Sequence, residues 1–315
     1  MRPFRFVKMH GIGNDYVYVN AFEQPIDDPA AVARAVSDRH VGIGSDGLIL
    51  VAPPTDPTAH VRMRMFNADG SESEMCGNGV RCVAKFAIDR KLATANPIRV
   101  ETGRGVLPIR WTRGADDTVA LAAVDMGAPI LERDLVPCAV PGVGAKDRVV
   151  LLPVDATFFG ETSERWQREA GVERAITCVS MGNPHLVIWC RHVAKVPLET
   201  VGPLLEHHPW FPRRINVHFV EANAPNEVTM RTWERGSGIT LACGTGASAV
   251  CVAGVLGRKA EHTVLAHLPG GDLTLEWPRE NASVVMTGPA TEVFEGTLHP
   301  SILASPRAAA AGAIS

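Results

Sequence analysis

No apolar run in this 315-residue chain reaches the ~18 residues that a membrane-spanning helix needs, so no such helix is expected. Charge of one sign is not in excess. With 31 Lys and Arg against 34 Asp and Glu, the formal net charge is -3. That gives no electrostatic case for nucleic acid or an anionic membrane surface as partner. The N-terminal stretch MRPFRFVKMHG carries charges but neither a long apolar core nor a small-residue cleavage site. It does not read as a secretory signal, and a cytoplasmic location is expected. Seven cysteines are an odd number with no regular framework. Free thiols in a reducing compartment fit this better than a disulfide scaffold.

What is present is an ordinary globular composition, 46% hydrophobic and 21% charged. The length suggests two domains at about 100–200 residues each, each long enough to bury a core of its own.

The chain is organised around a stretch that occurs twice. MRMFNADGSESEMCGNG runs from Met63 to Gly79, and MRTWERGSGITLACGTG from Met230 to Gly246. They align without a gap, so that Arg64 meets Arg231, Phe66 meets Trp233, Cys76 meets Cys243 and Gly77 meets Gly244. Each copy passes from strand-like alternation through a polar loop into Cys-Gly-x-Gly and then a helical pattern. Asn14 and Asn183 are plausible repeat mates, since 169 residues separate them against 167 for the two cysteines.

Periodicity predicts strands over 4–9, 16–20 and 48–51, and again from 61, where Val61, Met63 and Met65 alternate with other residues. Asp28 and Pro29 predict a helix start. The glycine-rich loop between the first two strands is placed to expose Asn14. After Cys76, Val80, Val83, Ala84, Ala87 and Ile88 form one apolar helical stripe. Strands are expected over 98–102, 105–110 and 119–124, and the Met126-Gly-Ala-Pro129 stretch reads as a domain junction. The second half repeats the plan. It has strands over 176–180, 186–189, 215–220 and 228–233, a helix over 197–206, and a small-residue helix over 246–256. The Ala-rich tail 301–315 is expected to be disordered.

A helix N-terminus carries partial positive charge and unpaired N–H groups. A cysteine there is expected to ionise more readily, and the glycines let a ligand approach the backbone. The N–H groups of Gly77, Asn78, Gly244 and Thr245 can hold a carboxylate and stabilise the enolate-like charge formed when its α-proton leaves. Inverting a stereocentre by proton transfer needs a base on one face and an acid on the other, and one thiolate with one thiol meets that need. Cys82, Cys138, Cys178, Cys190 and Cys251 lie in apolar segments and read as core material. No Cys-x-x-Cys or histidine cluster accompanies Cys76 or Cys243, so no metal is expected. Gly-x-Gly stands here without the Lys-Ser/Thr of a P-loop.

Several polar residues admit two readings. Asn67 is a turn residue in Asn-Ala-Asp-Gly or a ligand contact. Glu234-Arg235 is a surface ion pair or part of a site. His185 is a structural histidine or a group that tunes a thiol. Asn216, between apolar neighbours, suits a ligand contact better than a core. His207 and His208 read as a solvated helix end.

The segments MHGIGNDYV at 9–17, GIGSDG at 42–47, FNADGSESEMCGNGVRC at 66–82, ETGRG at 101–105, SMGNPH at 180–185 and ERGSGITLACGTGASA at 234–249 together closely resemble the diaminopimelate epimerase family. They keep the family's order over essentially the whole chain to about residue 300. The resemblance implies an α/β (α+β) fold of two pseudo-twofold-related domains, each a barrel-like, mostly antiparallel sheet around a central helix, with the site in the cleft between them. It places 1–127 plus 288–300 in the first domain and 128–287 in the second.

The resemblance also implies a cofactor-independent, two-base epimerisation of LL-2,6-diaminopimelate to the meso form, in lysine and peptidoglycan precursor synthesis, with a homodimer as the expected assembly. Cys76 matches the base for the LL isomer and Cys243 its acid. Asn14, Asn67, Asn183, Asn216, Glu234 and Arg235 match substrate contacts, as do Gly77, Asn78, Gly244 and Thr245 through their backbone. His185 and Glu234 match groups that tune the thiols. Two positions depart from the pattern: Gly47 stands where some members have Gln, and Ile239 where many have Glu. The alternatives are a proline racemase or hydroxyproline epimerase of the same architecture, against which Asn78 and Glu234-Arg235-Gly236 speak, and a non-catalytic module that binds a small anion.

Overall fold

The computed structural model describes residues 4–161, 163–299 and 302. The expected disordered tail 301–315 falls outside them apart from residue 302. The described residues divide into two compact units. One runs to Val124 and resumes at Gly288, and the other is Asp125–Thr287.

In the first unit the strands follow one another in the order Thr291–Leu298, Phe4–Gly11, Asn14–Asn20, Gly47–Ala52, Val61–Asn67, Ile98–Thr102, Gly105–Arg113 and Val119–Asp125. All neighbours are antiparallel except Asn14–Asn20 with Gly47–Ala52, and Val61–Asn67 with Ile98–Thr102. A parallel step needs a crossover, and helices Pro29–Ser37 and Gly77–Asp89 supply the two. The second of these is buried at every residue from Asn78 to Ile88.

The strands show why. Leu48, Leu50 and Phe66 pack with Val32, Ala33 and Val36 of the first helix. Ile49 and Met63 lie against Gly79 of the second. A strand covered on both faces reads as a continuous apolar run, which is the reason Leu48 to Val51 does not alternate. Asp28 caps Pro29–Ser37 through a hydrogen bond from Ala31 N, as its position before Pro29 predicts.

The second unit follows the same order: Leu152–Pro153, Ala175–Ser180, Pro184–Cys190, Asn216–Ala224, Glu227–Glu234, Thr263–Leu268, Gly271–Glu276 and Val285–Pro289. Its parallel steps fall at the same two places, crossed by helices Leu198–Glu206 and Gly244–Leu256. The latter is buried from Gly246 to Gly254 and apolar all round, so it has no amphipathic stripe to read. The mixed α/β, sheet-dominated class expected from the sequence is the one found.

Three features differ from the sequence reading. The polar loop before each cysteine contains a short strand, Glu72–Ser73 in one copy and Gly238–Thr240 in the other, each paired to the strand before it. Two or three residues carry no period to detect. A 3-10 turn, Ala156–Phe159, and a helix, Glu164–Ala170, lie between the first two strands of the second unit's sheet, and Trp166 packs edge-on against Phe219. His208 is not a solvated helix end, because its ring lies 4.6 Å from that of Phe158.

Gly47 opens its strand where backbone approaches closely. A Cβ there would stand 2.0 Å from Phe66 O and 2.8 Å from Tyr16 Cε1. No larger residue fits without backbone movement. Gly47→Ala is expected to lower stability to urea by about 1–3 kcal/mol, the usual range for overpacking; an unchanged midpoint would show that the strand can shift at no cost.

Candidate active site

In the first unit Cys76 is the N-cap residue of helix Gly77–Asp89, with extended backbone at φ −134°, ψ 125°. It is half-buried, and its thiol donates to Asn14 Oδ1 at 3.3 Å. Asn14 opens a strand instead of sitting free on a loop. Its Nδ2 donates to Asp46 Oδ2 at 2.8 Å, and Asp15 N donates to the same oxygen at 3.1 Å. Arg39 Nη2 bridges Asp15 and Asp46 at 2.8 and 2.9 Å, and Lys8 pairs with Asp15. Burial alone would raise Asp15, but Arg39 and Lys8 overcome it and hold the carboxyl below its usual range. Burial and the neighbouring Asp15 push Asp46 up. Asp46 thus fixes which end of the Asn14 amide faces the thiol. Asp46 stands in the GIGSDG segment, from which the sequence analysis drew no site residue.

Asn78 is buried, and its Oδ1 accepts from Arg81 Nη2 at 2.9 Å. Arg81 is fully buried. Its Nη1 donates to Gly77 O and its Nε to Pro289 O, both at 3.2 Å. A guanidinium therefore sits beneath the helix start that Cys76 caps. Arg81 lies off the apolar stripe, so periodicity assigned it no role. Asn67 is engaged in its turn. Asn67 N donates to Ser71 O, Gly70 N to Asn67 O, and Asn67 Nδ2 to Ser71 Oγ, each at 2.9 Å.

In the second unit Cys243 caps helix Gly244–Leu256 with the same extended backbone, φ −125°, ψ 98°. It is only 4% exposed. The expected drop in thiol pKa does not hold here. Burial pushes the Cys243 thiol well up and the Glu234 carboxylate adds to this, outweighing the Gly246 N–H and the Thr245 hydroxyl, which pull it down. Glu234 ends its strand and accepts from Thr240 Oγ1 at 2.5 Å. Gly236, at φ 77°, makes the turn that follows. The place of Arg81 is taken by Ser248, a fully buried hydroxyl that donates to Gly244 O at 2.9 Å.

Asn216 is buried and ties two loops together. Its Nδ2 donates to Pro184 O at 2.8 Å, and its Oδ1 accepts from Arg235 N at 3.1 Å. Arg235 is exposed, with Nη1 on Arg213 O at 3.1 Å. Asn183 Nδ2 donates to Thr245 Oγ1 at 3.4 Å, and Thr245 Oγ1 lies 3.8 Å from Cys243 Sγ. Asn183 Oδ1 is 2.9 Å from Nε2 of His185, which is fully buried. His185 Nδ1 meets His218 Nε2 at 2.9 Å, and His218 Nδ1 meets Thr232 Oγ1 at 2.9 Å. Burial holds both rings neutral. His185 lies well below its ordinary value, and His218 is pushed down to about 3. The sequence reading passed over His218, although a histidine inside an apolar strand was a usable signal. Among the described residues no group of three or more His, Cys, Asp or Glu could hold a metal, and no helix is long and apolar enough to cross a membrane.

Solved structures share this architecture. A phenazine biosynthesis protein of the PhzF family from Bacillus anthracis matches at TM-score 0.64 and 15% identity, over 95% of this chain and 100% of that one. A hydroxyproline epimerase from Agrobacterium vitis, with trans-4-hydroxy-L-proline bound, matches at 0.57 and 13%, over 95% and 91%. These show a shared fold and no more. The diaminopimelate epimerase family model matches residues 6–132 and 177–293. The diaminopimelate epimerase of Acetivibrio thermocellus is 50% identical over 292 residues, covering 93% of this chain and 97% of the relative. That of Methanococcus maripaludis is 47% identical over 298 residues, covering 93% and 99%. The chain belongs to the diaminopimelate epimerase family, a family of isomerases.

The buried histidines carry a pH signature. A histidine whose folded pKa lies below its ordinary 6.5 is protonated first in the unfolded chain. Its contribution is complete above that value and is lost as pH falls toward 3. For His218 the loss is on the order of 1–2 kcal/mol by pH ~5. Urea midpoints measured across this window are expected to fall less steeply in His218→Phe than in the natural protein, and parallel curves would contradict the assignment.

Proposed function

We propose that this protein is a cofactor-independent epimerase that converts LL-2,6-diaminopimelate to the meso form, with Cys76 and Cys243 as its acid–base pair. The observation that carries the reading is the pairing of like positions with unlike surroundings. Each cysteine caps a buried helix, but a guanidinium lies under one start and a carboxylate beside the other thiol. A fixed positive charge favours an anion nearby, and a carboxylate disfavours one. Cys76 is accordingly the base that takes the α-proton of the LL isomer, and Cys243 the acid that returns a proton to the opposite face. The roles exchange in the reverse direction.

The N–H groups of Gly77, Asn78, Gly244 and Thr245 hold the α-carboxylate and the charge that develops on it. Arg235 clamps the distal carboxylate in a bidentate manner. Asn14, Asn67 and Asn183 contact the substrate. Asn216 contributes by holding the backbone of Arg235. His185 and Glu234 tune the thiols. Conversion of the LL isomer to the meso form supplies lysine and peptidoglycan precursors, and cytoplasmic location and homodimeric assembly belong to the same reading. Relatives named diaminopimelate epimerase at 47–50% identity support this substrate over proline or hydroxyproline, as do Asn78 and Glu234-Arg235-Gly236.

The test is turnover of LL-diaminopimelate by reduced protein in deuterated water, followed by NMR and chiral chromatography. Deuterium at the α-carbon together with the meso isomer is expected. Cys76→Ala and Cys243→Ala should each lose about a hundred- to ten-thousandfold, the usual worth of an acid–base group. Tight binding without exchange by the natural protein would sink the proposal in favour of an anion-binding module.

A further inference from the structure

We propose that His218 is a positioning residue which, through His185, fixes the Asn183 amide with its NH2 end toward the start of helix Gly244–Leu256. The proposal rests on the reading of Cys243 and its helix start as part of the epimerase site.

The argument begins with the order of atoms. Asn183 Oδ1 faces His185 Nε2 at 2.9 Å, so that nitrogen carries the hydrogen. A neutral His185 then has an accepting Nδ1. The atom opposite, His218 Nε2 at 2.9 Å, must donate. His218 Nδ1 is left as an acceptor, and the Thr232 hydroxyl at 2.9 Å donates to it. The chain therefore runs one way, from Thr232 through both rings to Asn183, whose Nδ2 passes a hydrogen to Thr245 Oγ1. Reversing the Asn183 amide would set an N–H against the N–H of His185 unless both buried rings changed tautomer together and Thr232 turned from donor to acceptor. The amide and the two rings are thus locked to one another, and an unmet donor between the buried rings is costly.

His218 is wedged in place. A Cβ on Gly246 would stand 2.3 Å from His218 Cε1 and 3.0 Å from Cys243 Sγ, so the ring packs directly under the first turn of the helix. Burial, which disfavours a second proton on either ring, agrees with a neutral chain. The first unit offers the contrast. There Asp46 accepts from Asn14 Nδ2 and leaves the carbonyl end toward Cys76. An acceptor in one unit and a donor in the other thus present two amides in opposite senses. The donor end of Asn183 adds to the N–H groups at its helix start and suits an anionic ligand.

The test uses the full-length protein, uniformly labelled with nitrogen-15. Long-range proton–nitrogen correlation at neutral pH reads the tautomer of each ring, and exchange of LL-diaminopimelate in deuterated water reads activity. In the natural protein both His185 and His218 are expected neutral with hydrogen on Nε2. Thr232→Val and His218→Phe release His185 from that single tautomer, and kcat/KM falls about three- to tenfold, the worth of one hydrogen bond. His218→Gln, whose amide can both donate to His185 and accept from Thr232, keeps the His185 tautomer and most of the activity.

Hydrogen on Nδ1 of His185, or a cationic ring, in the natural protein overturns the proposal. So does an unaltered kcat/KM in folded His218→Phe. If that variant does not fold, Thr232→Val, which exchanges a hydroxyl for a methyl, decides in its place. The assigned tautomers without α-proton exchange by the natural protein overturn the epimerase reading and with it the role of His218 in the reaction. Wrong tautomers with full exchange overturn this proposal alone.

Discussion

A helix enclosed by strands on all sides must find partners for the N–H groups of its first turn, and this constraint organises both units. On helix Pro29–Ser37 the cap is Asp28, whose carboxylate accepts from the helix backbone. On the two enclosed helices the cap is a cysteine with no capping hydrogen bond from its side chain. A carboxylate or hydroxyl cap would occupy the N–H groups. A thiol leaves them to a ligand and puts a nucleophilic, ionisable sulfur beside them. The glycines that follow keep the approach narrow. At Gly246 there is no room even for one methyl group between His218 and Cys243.

Around this shared frame the two units place different chemistry. The carbonyl of the first helical residue accepts from Arg81 in one unit and from Ser248 in the other. Position by position, Asn67 in one copy of the repeat answers to Glu234 in the second. The amides of Asn14 and Asn183 are anchored by Asp46 and by His185. Each exchange changes charge or hydrogen-bond direction while the backbone keeps its course. Duplicated geometry with unequal electrostatics suits the proposed reading, in which one sulfur is a base and the other an acid.

These buried polar groups are held at a cost. Arg81, His185 and His218 are removed from water entirely, and burial depresses the protonated form of each. Their hydrogen bonds offset the loss: Arg81 donates to Pro289 O, Gly77 O and Asn78 Oδ1, and a continuous chain runs through the histidines. Such groups are poor choices for stability alone, since apolar side chains of like volume would cost less to bury. Their place beneath the two helix starts fits a positioning role.

The sequence by itself determined the repeat, the two cysteines at the heads of two helices, the strand–helix order and the family. All of these are carried by residue type and spacing along the chain, which local periodicity and glycine placement express directly. Only the tertiary structure decided what surrounds each thiol. Asp46 reaches Asn14 across 32 residues, His218 reaches His185 across 33, and Asn216 reaches Pro184 across 32. In each case the partner comes from a neighbouring strand or loop whose register is set by the whole sheet. The same holds for the pKa of Cys243. The helix start that favours a thiolate is legible in Cys-Gly-x-Gly, but the burial that outweighs it exists only once the sheet has closed over the sulfur.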